Sequence, residues 1–307
     1  MNSIYRKFYK NFYRKTGGFI PARPLNLTVF PGDFFQIKNG EMLVLGNIFR
    51  NGVVDSVNVS FGNGIKLNTS GWDFSEGVTK PYSGRGMGQG AIDGHFEFSK
   101  QILAFSTKGS YTFRGNNPEA VKILNWNDLQ PELIIKLTQT YYSFREVYLI
   151  TECATTSDWT LAVAGGDNAE LEIATSEDNF GLGDIFGHHS AKTIQSRDIE
   201  LYLRETGRKP SFFKASKLVT RDEKLNTFVN ELIYQKKHQQ EWADNFYEYK
   251  FHMGSIYNSY PPDNVQASVL DMLQANDLNP NTALRYFKWT EANMDDIEKM
   301  FISYGND

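Results

Sequence analysis

The chain has 307 residues, a formal net charge of −4 at pH 7 and one cysteine. This length is enough for one large hydrophobic core and a small second module, and a single cysteine excludes both a framework of intramolecular disulfides and a metal site built from several cysteines. No run of about 18 apolar residues occurs, as a membrane-spanning helix would require, and the amino terminus lacks the apolar segment of a secretory signal. We therefore expect a cytoplasmic protein.

The first predicted element is an amphipathic helix at residues 4–14. Its apolar residues recur at helical spacing and form one broad stripe, which consists of Ile4, Tyr5, Phe8, Tyr9, Phe12 and Tyr13. Gly17-Gly18 ends the helix. The first 25 residues carry six cations and no acid, so the remaining residues sum to −10. This asymmetry indicates a negatively charged partner, either outside the molecule or elsewhere in the chain.

Residues 19–115 predict strands and turns. Turn signals separate short apolar runs at Pro31-Gly32, Asn39-Gly40 and Asn51-Gly52. The glycine-rich residues 83–90 have neither a following helix pattern nor the Lys-Ser or Lys-Thr pair of a phosphate-binding loop, so we interpret them as an exposed loop. The alternation between residues 92 and 113 predicts at least one pair of strands, and its apolar positions include Phe96, Phe98, Leu103 and Phe105.

A helix and further strands are predicted in the next part of the chain. Residues 116–144 predict a helix, with Asp128 as its N-cap ahead of Pro131. Residues 146–154 predict a strand that contains Cys153, where an inert buried thiol is the common case. A hairpin around the sequence GGDN is predicted by the alternating apolar residues on its two sides, which are Trp159, Leu161, Val163, Leu171 and Ile173.

The composition of the chain changes near residue 221. Residues 221–250 predict a helical extension, and 251–265 predict a linker because glycine, serine and a proline pair disfavour regular structure. Residues 266–307 predict a small helical module with two or three short helices. The spacing in residues 265–301 is faintly similar to that of three-helix ubiquitin-binding domains. A non-enzymatic adaptor protein therefore stays open as the alternative function.

No motif in the sequence predicts catalysis or a metal site. His188 and His189 are adjacent, and neighbouring side chains of a strand point to opposite faces. Asp184 is the only carboxylate close to them in sequence. We therefore expect no metal, no cofactor and no enzymatic activity, although an enzyme whose site is dispersed along the chain stays open as a third hypothesis.

The basic first helix has three possible roles. It can be a surface helix with its aromatic stripe on the core, a nucleic-acid-binding helix or a membrane-binding helix. The acidic remainder of the chain would repel a phosphate backbone, so we expect no nucleic-acid partner. Helices that lie on membranes combine an apolar face with flanking Lys and Arg. The core and membrane roles are compatible if the helix is packed in one state and released in another.

Five segments, in the same order along the chain, resemble the amino-terminal domain of gasdermins. They are the opening helix with its Gly-Gly end and Phe19–Pro21, "DGHFEF" at residues 93–98, the helix from Pro131 with "VYLITE" at 147–152, "GHHSAKTI" at 187–194 and "SFFKASKLV" at 211–219. The resemblance covers residues 1–220. It implies an α+β fold, in which helices surround a twisted antiparallel sheet and a small helical carboxy-terminal module follows.

The gasdermin resemblance also implies a function. Gasdermins are held inactive by carboxy-terminal sequence until a protease cuts a linker. The released domain binds acidic membrane lipids, oligomerises and inserts β-hairpins, and the pore causes cell death. For this chain the resemblance implies a cytoplasmic monomer at rest and a membrane-associated homo-oligomer when active. The chain departs from animal gasdermins, because only 87 residues follow residue 220, and it has no cysteine near the amino terminus, where bacterial members are thought to be acylated.

The expected functional residues fall into three sets. The lipid-binding set on the first helix is Tyr5, Arg6, Lys7, Phe8, Lys10, Phe12, Arg14 and Lys15. The membrane-inserting set is Phe96, Phe98, Leu103, Phe105, Trp159, Leu161, Val163, Leu171 and Ile173. The cleavage region contains Gly254, Ser255 and Ser259. Residues 263–307 carry a net charge of −5, so this acidic tail is expected to shield the basic helix at rest.

Overall fold

The computed structural model describes residues 3–89, 95–138, 147–175, 185–188, 190–221 and 280–302. The helices in these residues are α1 (Ser3–Lys15), α2 (Trp126–Thr138), α3 (Pro280–Tyr286) and α4 (Met294–Lys299). The strands are β1 (Ile20–Pro21), β2 (Asp33–Lys38), β3 (Glu41–Asn47), β4 (Phe61–Lys66), β5 (Asp73–Glu76), β6 (Val78–Gln89), β7 (His95–Phe105), β8 (Tyr111–Asn116), β9 (Glu119–Ile123), β10 (Tyr148–Thr155), β11 (Asp158–Ala164), β12 (Ala169–Thr175), β13 (Lys192–Arg197), β14 (Ile199–Glu205), β15 (Phe212–Thr220) and β16 (Phe287–Glu291). The chain is therefore α+β, as predicted.

The largest sheet has eight antiparallel strands. Its central path runs β1-β15-β10-β2-β3, and β4 and β9 extend it beside β10. One edge of β15 is shared by the two ends of the chain. There, β1 pairs with Phe212 and Phe213, and β16 pairs with residues 216–220. The last described strand is thus built into the same sheet as the first.

Two four-stranded sheets repeat one strand order, β14-β11-β8-β5 and β13-β12-β7-β6. Each strand of one sheet is continued along the chain by a strand of the other, so the two sheets are halves of a four-stranded unit. We name its four segments the arms: residues 73–89, 95–116, 158–175 and 192–205. The first two arms form one hairpin, the last two form a second, and the hairpins pair side by side through β7 with β12 and β8 with β11.

The junction between the two four-stranded sheets is built from residues with left-handed backbone conformations. Each arm changes direction at or near one such residue, and these are Gly77 (φ 67°), Gly109 (φ 81°), Asn168 (φ 54°) and Asp198 (φ 55°). Glycine adopts this conformation without strain, and Asn and Asp tolerate it better than other residues. The sequence therefore encodes the junction separately in each arm.

The main core joins α1 to the largest sheet and to one face of β8 and β11. It includes Phe8, Phe12, Phe113 and Trp159, which are all buried. A separate cluster lies at the junction and takes buried side chains from both four-stranded sheets, among them Leu103, Phe105, Ala162, Ala164, Leu171 and Ile173. The arms thus contribute to two different cores.

Two predictions for the arms are wrong. Residues 159–163 and 171–173 do lie on strands, but β11 and β12 are consecutive segments of one arm and do not form a hairpin with each other. Residues 83–89 are not a loop, because they belong to β6 and pair with β7 from Ser83 opposite Gln101 to Gln89 opposite His95. Cross-strand hydrogen bonds hold this glycine-rich backbone in an extended conformation.

Two helical predictions also need correction. Within the predicted helix 116–144, residues 119–123 form β9, which pairs with β4 and β10. Helix α2 begins before Asp128, and Pro131 lies inside it. In the carboxy-terminal region α3 and α4 are helical, but residues 287–291 between them form β16. The helical extension at 221–250, the linker at 251–265 and the residues from 266 to 279 lie outside the described residues, apart from Arg221.

Candidate functional site at the contact of the first helix and the carboxy-terminal segment

Helix α1 places its aromatic stripe on the core. Phe8 and Phe12 are fully buried. The ring of Phe12 stacks on Phe212 at 4.8 Å and meets Phe113 edge-on at 5.2 Å. Two of the predicted lipid-binding aromatic residues are therefore packing residues in this structure, and Tyr5 is partly buried against the same core.

The cations of α1 lie on the opposite side and meet acids from two parts of the chain. Glu298, in α4, accepts ion pairs from both Arg6 and Lys10. Lys7 pairs with Glu76 of β5 at 2.7 Å. The remaining predicted lipid-binding cations, Arg14 and Lys15, are exposed in the last turn, where positive charge is favoured by the helix dipole. Arg6 and Lys10 are thus paired with an acid of the carboxy-terminal segment, by which we mean residues 280–302.

Apolar contacts support this ion-pair cluster. Ile297 and Met300 are buried in the main core. The ring of Phe301 meets Tyr9 edge-on at 5.1 Å, and the guanidinium of Arg23 lies 4.5 Å from the centre of the Phe301 ring. The hydroxyl of Tyr9 donates to the Ala22 carbonyl at 2.8 Å, so this residue is held in place from both ends. Helix α4 is therefore packed against α1 as well as paired with it.

Asp296 is the buried acid of the carboxy-terminal segment. It accepts hydrogen bonds from Lys217 Nζ at 2.8 Å, the Tyr148 hydroxyl at 2.9 Å and the Asn293 backbone N–H at 2.8 Å. Burial alone would raise the pKa of Asp296, but these donors outweigh it and lower the pKa below its usual value. A charged carboxylate thus joins α4 to two strands of the largest sheet.

A second set of contacts holds the strand of the carboxy-terminal segment. β16 pairs with β15 from Ser216 opposite Glu291 to Thr220 opposite Phe287. Phe287 is 2% exposed and packs with Leu218 and Ile134. The Trp289 ring lies 5.3 Å from that of Trp126, and its Nε1 donates to the Gln130 carbonyl of α2 at 3.3 Å. The segment therefore spans from α2 to α1 across the largest sheet.

The predicted membrane-inserting residues are divided between the two cores. Leu103, Phe105, Leu171 and Ile173 come together at the junction of the arms, and all four are buried. The other set, Trp159, Leu161 and Val163, faces the main core. Phe96 and Phe98 lie in β7, opposite Gly88 and Gly86 of β6. All nine predicted positions are therefore in the arms.

The remaining sequence candidates are placed as follows. His188 follows a turn, and its Nδ1 lies 2.8 Å from Ser190 Oγ, while His189 lies outside the described residues. The Cys153 thiol is buried in β10, and burial raises its pKa. Across the described ranges there is no cluster of metal-ligating side chains and no helix that is long and apolar enough to cross a membrane. The cleavage-region residues Gly254, Ser255 and Ser259 lie outside those ranges.

Comparisons with known proteins assign no family. No protein-family model and no curated protein matches the chain. Among solved structures, the chain is similar to a bacterial gasdermin from Bradyrhizobium tropiciagri, with a TM-score of 0.26 and 10% sequence identity. This match covers 63% of the present chain and 79% of the gasdermin chain. A TM-score this low carries no structural argument, so the α+β class rests on the strands and helices themselves.

The sequence pattern pointed to only part of this site. The basic face of α1 and an acidic tail were both expected, but the aromatic contact through Phe301 and the strand contact through Trp289 were not. The signal for the strand was present, because Phe287 and Trp289 alternate with Lys288 and Thr290. Because this stretch is so short, the sequence predicts helix there, and the structure corrects it to a strand.

Proposed function

We propose that this chain is a pore-forming protein whose own carboxy-terminal segment holds it inactive. Proteolysis in the region before residue 280 releases the segment, and the remaining chain then binds acidic membranes, oligomerises and inserts its two hairpins. The observation that carries the proposal is the placement of Glu298 between Arg6 and Lys10. A chain in which an acid of the carboxy-terminal segment pairs with two of the five cations of its basic first helix has a partly masked site for an anionic surface.

Removal of the segment changes the charge of that site. Arg6 and Lys10 lose their acid, while Arg14 and Lys15 are already exposed. Each cation close to an anionic membrane contributes about 1 kcal/mol, which is weak for one copy. Several copies in one assembly bind firmly, because their attachments add through multivalency. Lipid binding and oligomerisation are therefore expected to reinforce each other.

The arms have the length that insertion requires. A strand needs about 9 to 11 residues to cross a bilayer, and each of the four arms is longer than this. At rest, seven of the predicted membrane-inserting residues are buried in the two cores, namely Leu103, Phe105, Trp159, Leu161, Val163, Leu171 and Ile173, so these parts of the hairpins are carried in a soluble form. One chain offers only four arms, and a wide channel therefore requires many copies.

The outer arms give a geometry for oligomerisation. In the described part of the chain, residues 73–89 and 192–205 pair only with their inner neighbours. All six residues of β13 are exposed. Because successive arms alternate in direction, the first arm of one copy can pair antiparallel with the last arm of another. Such a head-to-tail contact repeats around a ring when the rotation closes.

The test uses the full chain with a recognition site for a sequence-specific protease inserted between residues 251 and 265. The purified protein is cut in the presence of dye-filled vesicles that contain or lack anionic lipid. We expect dye release only after cutting and only from anionic vesicles. The same chain with a scrambled recognition site is the control. Binding without leakage would contradict the proposal and favour the adaptor hypothesis.

A second test concerns the cations of α1. In the cut chain, changing Lys7, Lys10 and Arg14 together to Glu should abolish binding to anionic vesicles, while the matched change to Gln should weaken it less. Raised salt should reproduce the Gln result, because the attraction decays within about 8 Å at physiological ionic strength. Vesicle co-sedimentation measures binding, and a thermal melt checks the fold. If the folded Glu variant permeabilises vesicles like its parent, α1 is not the lipid contact.

A further inference from the structure

The described residues that precede β13 pack against the junction of the arms. We name residues 185–188 and 190–191 the strap. Ile185 and Phe186 are 1% and 2% exposed, and they belong to the buried cluster that takes side chains from both four-stranded sheets. The strap is thus a packed part of the second hairpin's turn region.

Polar side chains from several strands hold the backbone of the strap. Arg114 of β8 donates from Nη1 to the Phe186 carbonyl at 3.0 Å. Arg204 of β14 donates from Nη1 to the Ala191 carbonyl at 2.7 Å. Gln101 of β7, itself buried, accepts from the Ile185 N–H at 3.3 Å. Because these side chains come from both four-stranded sheets, the strap ties the two sheets together across the junction.

We propose that the strap is a second restraint, separate from the carboxy-terminal segment, which keeps the second hairpin from extending until the strap leaves the junction. The inference rests on the proposed function, because it concerns the hairpins that would insert. A hairpin that pairs β12 with β13 through to its tip has no place for Ile185 and Phe186 in the junction cluster. Extension therefore requires both side chains to come out and the two arginines to lose their carbonyl acceptors.

The hydrogen bonding beneath the strap favours a restraint that can be released. Thr160 of β11 lies between Arg114 and Arg204, because it pairs in register with both. The Thr160 hydroxyl and Nε and Nη2 of Arg204 are buried and have no hydrogen-bond partner among the described residues. Buried polar groups that lack partners lower the stability of the state that buries them. Departure of the strap would let water reach these groups.

A disulfide can test the strap directly. A Cβ added at Gly187 would lie 3.3 Å from Cβ of Arg114, close to the separation of about 3.5 to 4.5 Å found in disulfides. The pair Gly187→Cys and Arg114→Cys is therefore within reach of a bond that locks the strap to β8. Gly187 has a φ of 80°, where a side chain is strained, so the reduced form of the same variant is the control for that strain. The control pair is Ala174→Cys and Lys192→Cys, which lie opposite each other in the register of β12 and β13, where directly opposed Cβ atoms are about 4.5 to 5.5 Å apart. Both positions lie outside the strap and within the second hairpin, so this bond is compatible with an extended hairpin.

Both pairs are placed in the full chain with the inserted protease site, cut, and added to anionic vesicles with and without reductant. We expect the oxidised lock to bind vesicles like the parent but to release dye at least tenfold more slowly, with full recovery on reduction. The control disulfide should leave the rate unchanged. Mass spectrometry confirms that each bond has formed. An oxidised lock that leaks at the parent's rate would overturn the strap proposal alone, whereas a parent that never leaks would overturn the proposed function and the strap with it.

A variant without cysteine covers the case in which the lock does not form. Phe186→Ala removes a buried ring from the junction and should speed dye release several-fold after cutting, while vesicle binding stays the same. A purely structural role would instead lower the melting temperature and leave the rate unchanged or reduced. That second outcome would also overturn the proposal.

Discussion

The two halves of the carboxy-terminal segment hold the rest of the molecule by different means. The strand half, residues 280–291, adds β16 to the largest sheet and buries Phe287 against Leu218 and Ile134. The helix half, residues 292–302, brings two acids to basic partners, with Asp296 at Lys217 and Glu298 at α1. The first half is held mainly by apolar burial and backbone pairing, and the second by charge as well as packing.

This difference suggests that the two halves of the segment have different roles. Apolar burial is not screened by salt as ion pairs are, so the strand half should set how tightly the segment is held. Ion pairs on a half-exposed helix are weak and screened, yet the surface they cover is the one proposed to meet a membrane. The helix half should therefore decide when α1 is available.

The largest expected effect comes from the strand half. Phe287→Ala removes a fully buried ring and should weaken docking of the segment by about 3 to 5 kcal/mol. In the chain cut at the inserted site, a tagged carboxy-terminal fragment should then be lost on a size-exclusion column that retains the parent fragment. Phe287→Leu is the matched control and should be retained. Retention of the Ala variant would show that the helix half alone holds the segment.

The next largest effect is expected at Asp296. Asp296→Asn leaves Lys217 without its buried partner and should cost about 2 to 4 kcal/mol of docking free energy, since removal of one member of a buried pair is strongly destabilising. Asp295→Asn is the control, because Asp295 is in the same helix and loses the same charge but is exposed. The dissociation rate of the cut fragment measures both. If the two variants dissociate at equal rates, the helix half contributes to docking of the segment only through packing.

The pH dependence should separate the two halves. Hydrogen bonds from basic partners overcome burial and hold the pKa of both Asp296 and Glu298 below their usual values of 3.8 and 4.5. A carboxyl whose pKa is lowered by folding stabilises the folded state above its usual pKa, and this contribution is lost as the pH falls through the lowered value. Docking should thus be constant above about pH 5 and weaken below pH 4. In the Asp296→Asn, Glu298→Gln double variant this slope should disappear while the Phe287 contribution persists.

The first helix and its two faces could be predicted from the sequence, but the residues that contact them could not. The helical period and the charges of α1 indicated both of its faces correctly. An acidic tail was expected to cover the basic face, but nothing local selects Glu298, because a contact between Lys10 and Glu298 depends on how the whole sheet brings them together. β16 was missed for a related reason, since a five-residue alternation gains its stability from the edge of β15.

The arms show the same limit. Alternation placed Trp159 and Leu171 correctly on strands, because it reports which residues share a face. It does not report which strand lies beside which. The sequence therefore predicts a hairpin around Asn168, whereas the structure has a change of direction within one arm. Glycines at 84, 86 and 88 suggested a loop, although cross-strand pairing with β7 overrides their low strand propensity.

The smallest effect, and the one that ties the helix half to lipid, is expected at Glu298. Its ion pairs are partly exposed, with side-chain exposures of 51% for Arg6 and 29% for Lys10, so Glu298→Gln should weaken docking by no more than about 1 kcal/mol. Glu298→Lys adds repulsion and should weaken it slightly more. Neither change should release the segment in the uncut chain at physiological salt, since the strand half still holds it.

The consequence of the Glu298 change should appear only with anionic vesicles. In the Glu298→Gln variant, Arg6 and Lys10 do not have to break an ion pair before they contact anionic lipid. The uncut variant should therefore bind anionic vesicles several-fold better than the uncut parent, and it should bind neutral vesicles no better. Asp295→Asn is again the exposed control and should change neither. Co-sedimentation at two salt concentrations measures the effect, which raised salt should reduce. If Glu298→Gln leaves anionic binding unchanged while cutting the parent increases it, the membrane contact lies beneath the strand half rather than on α1.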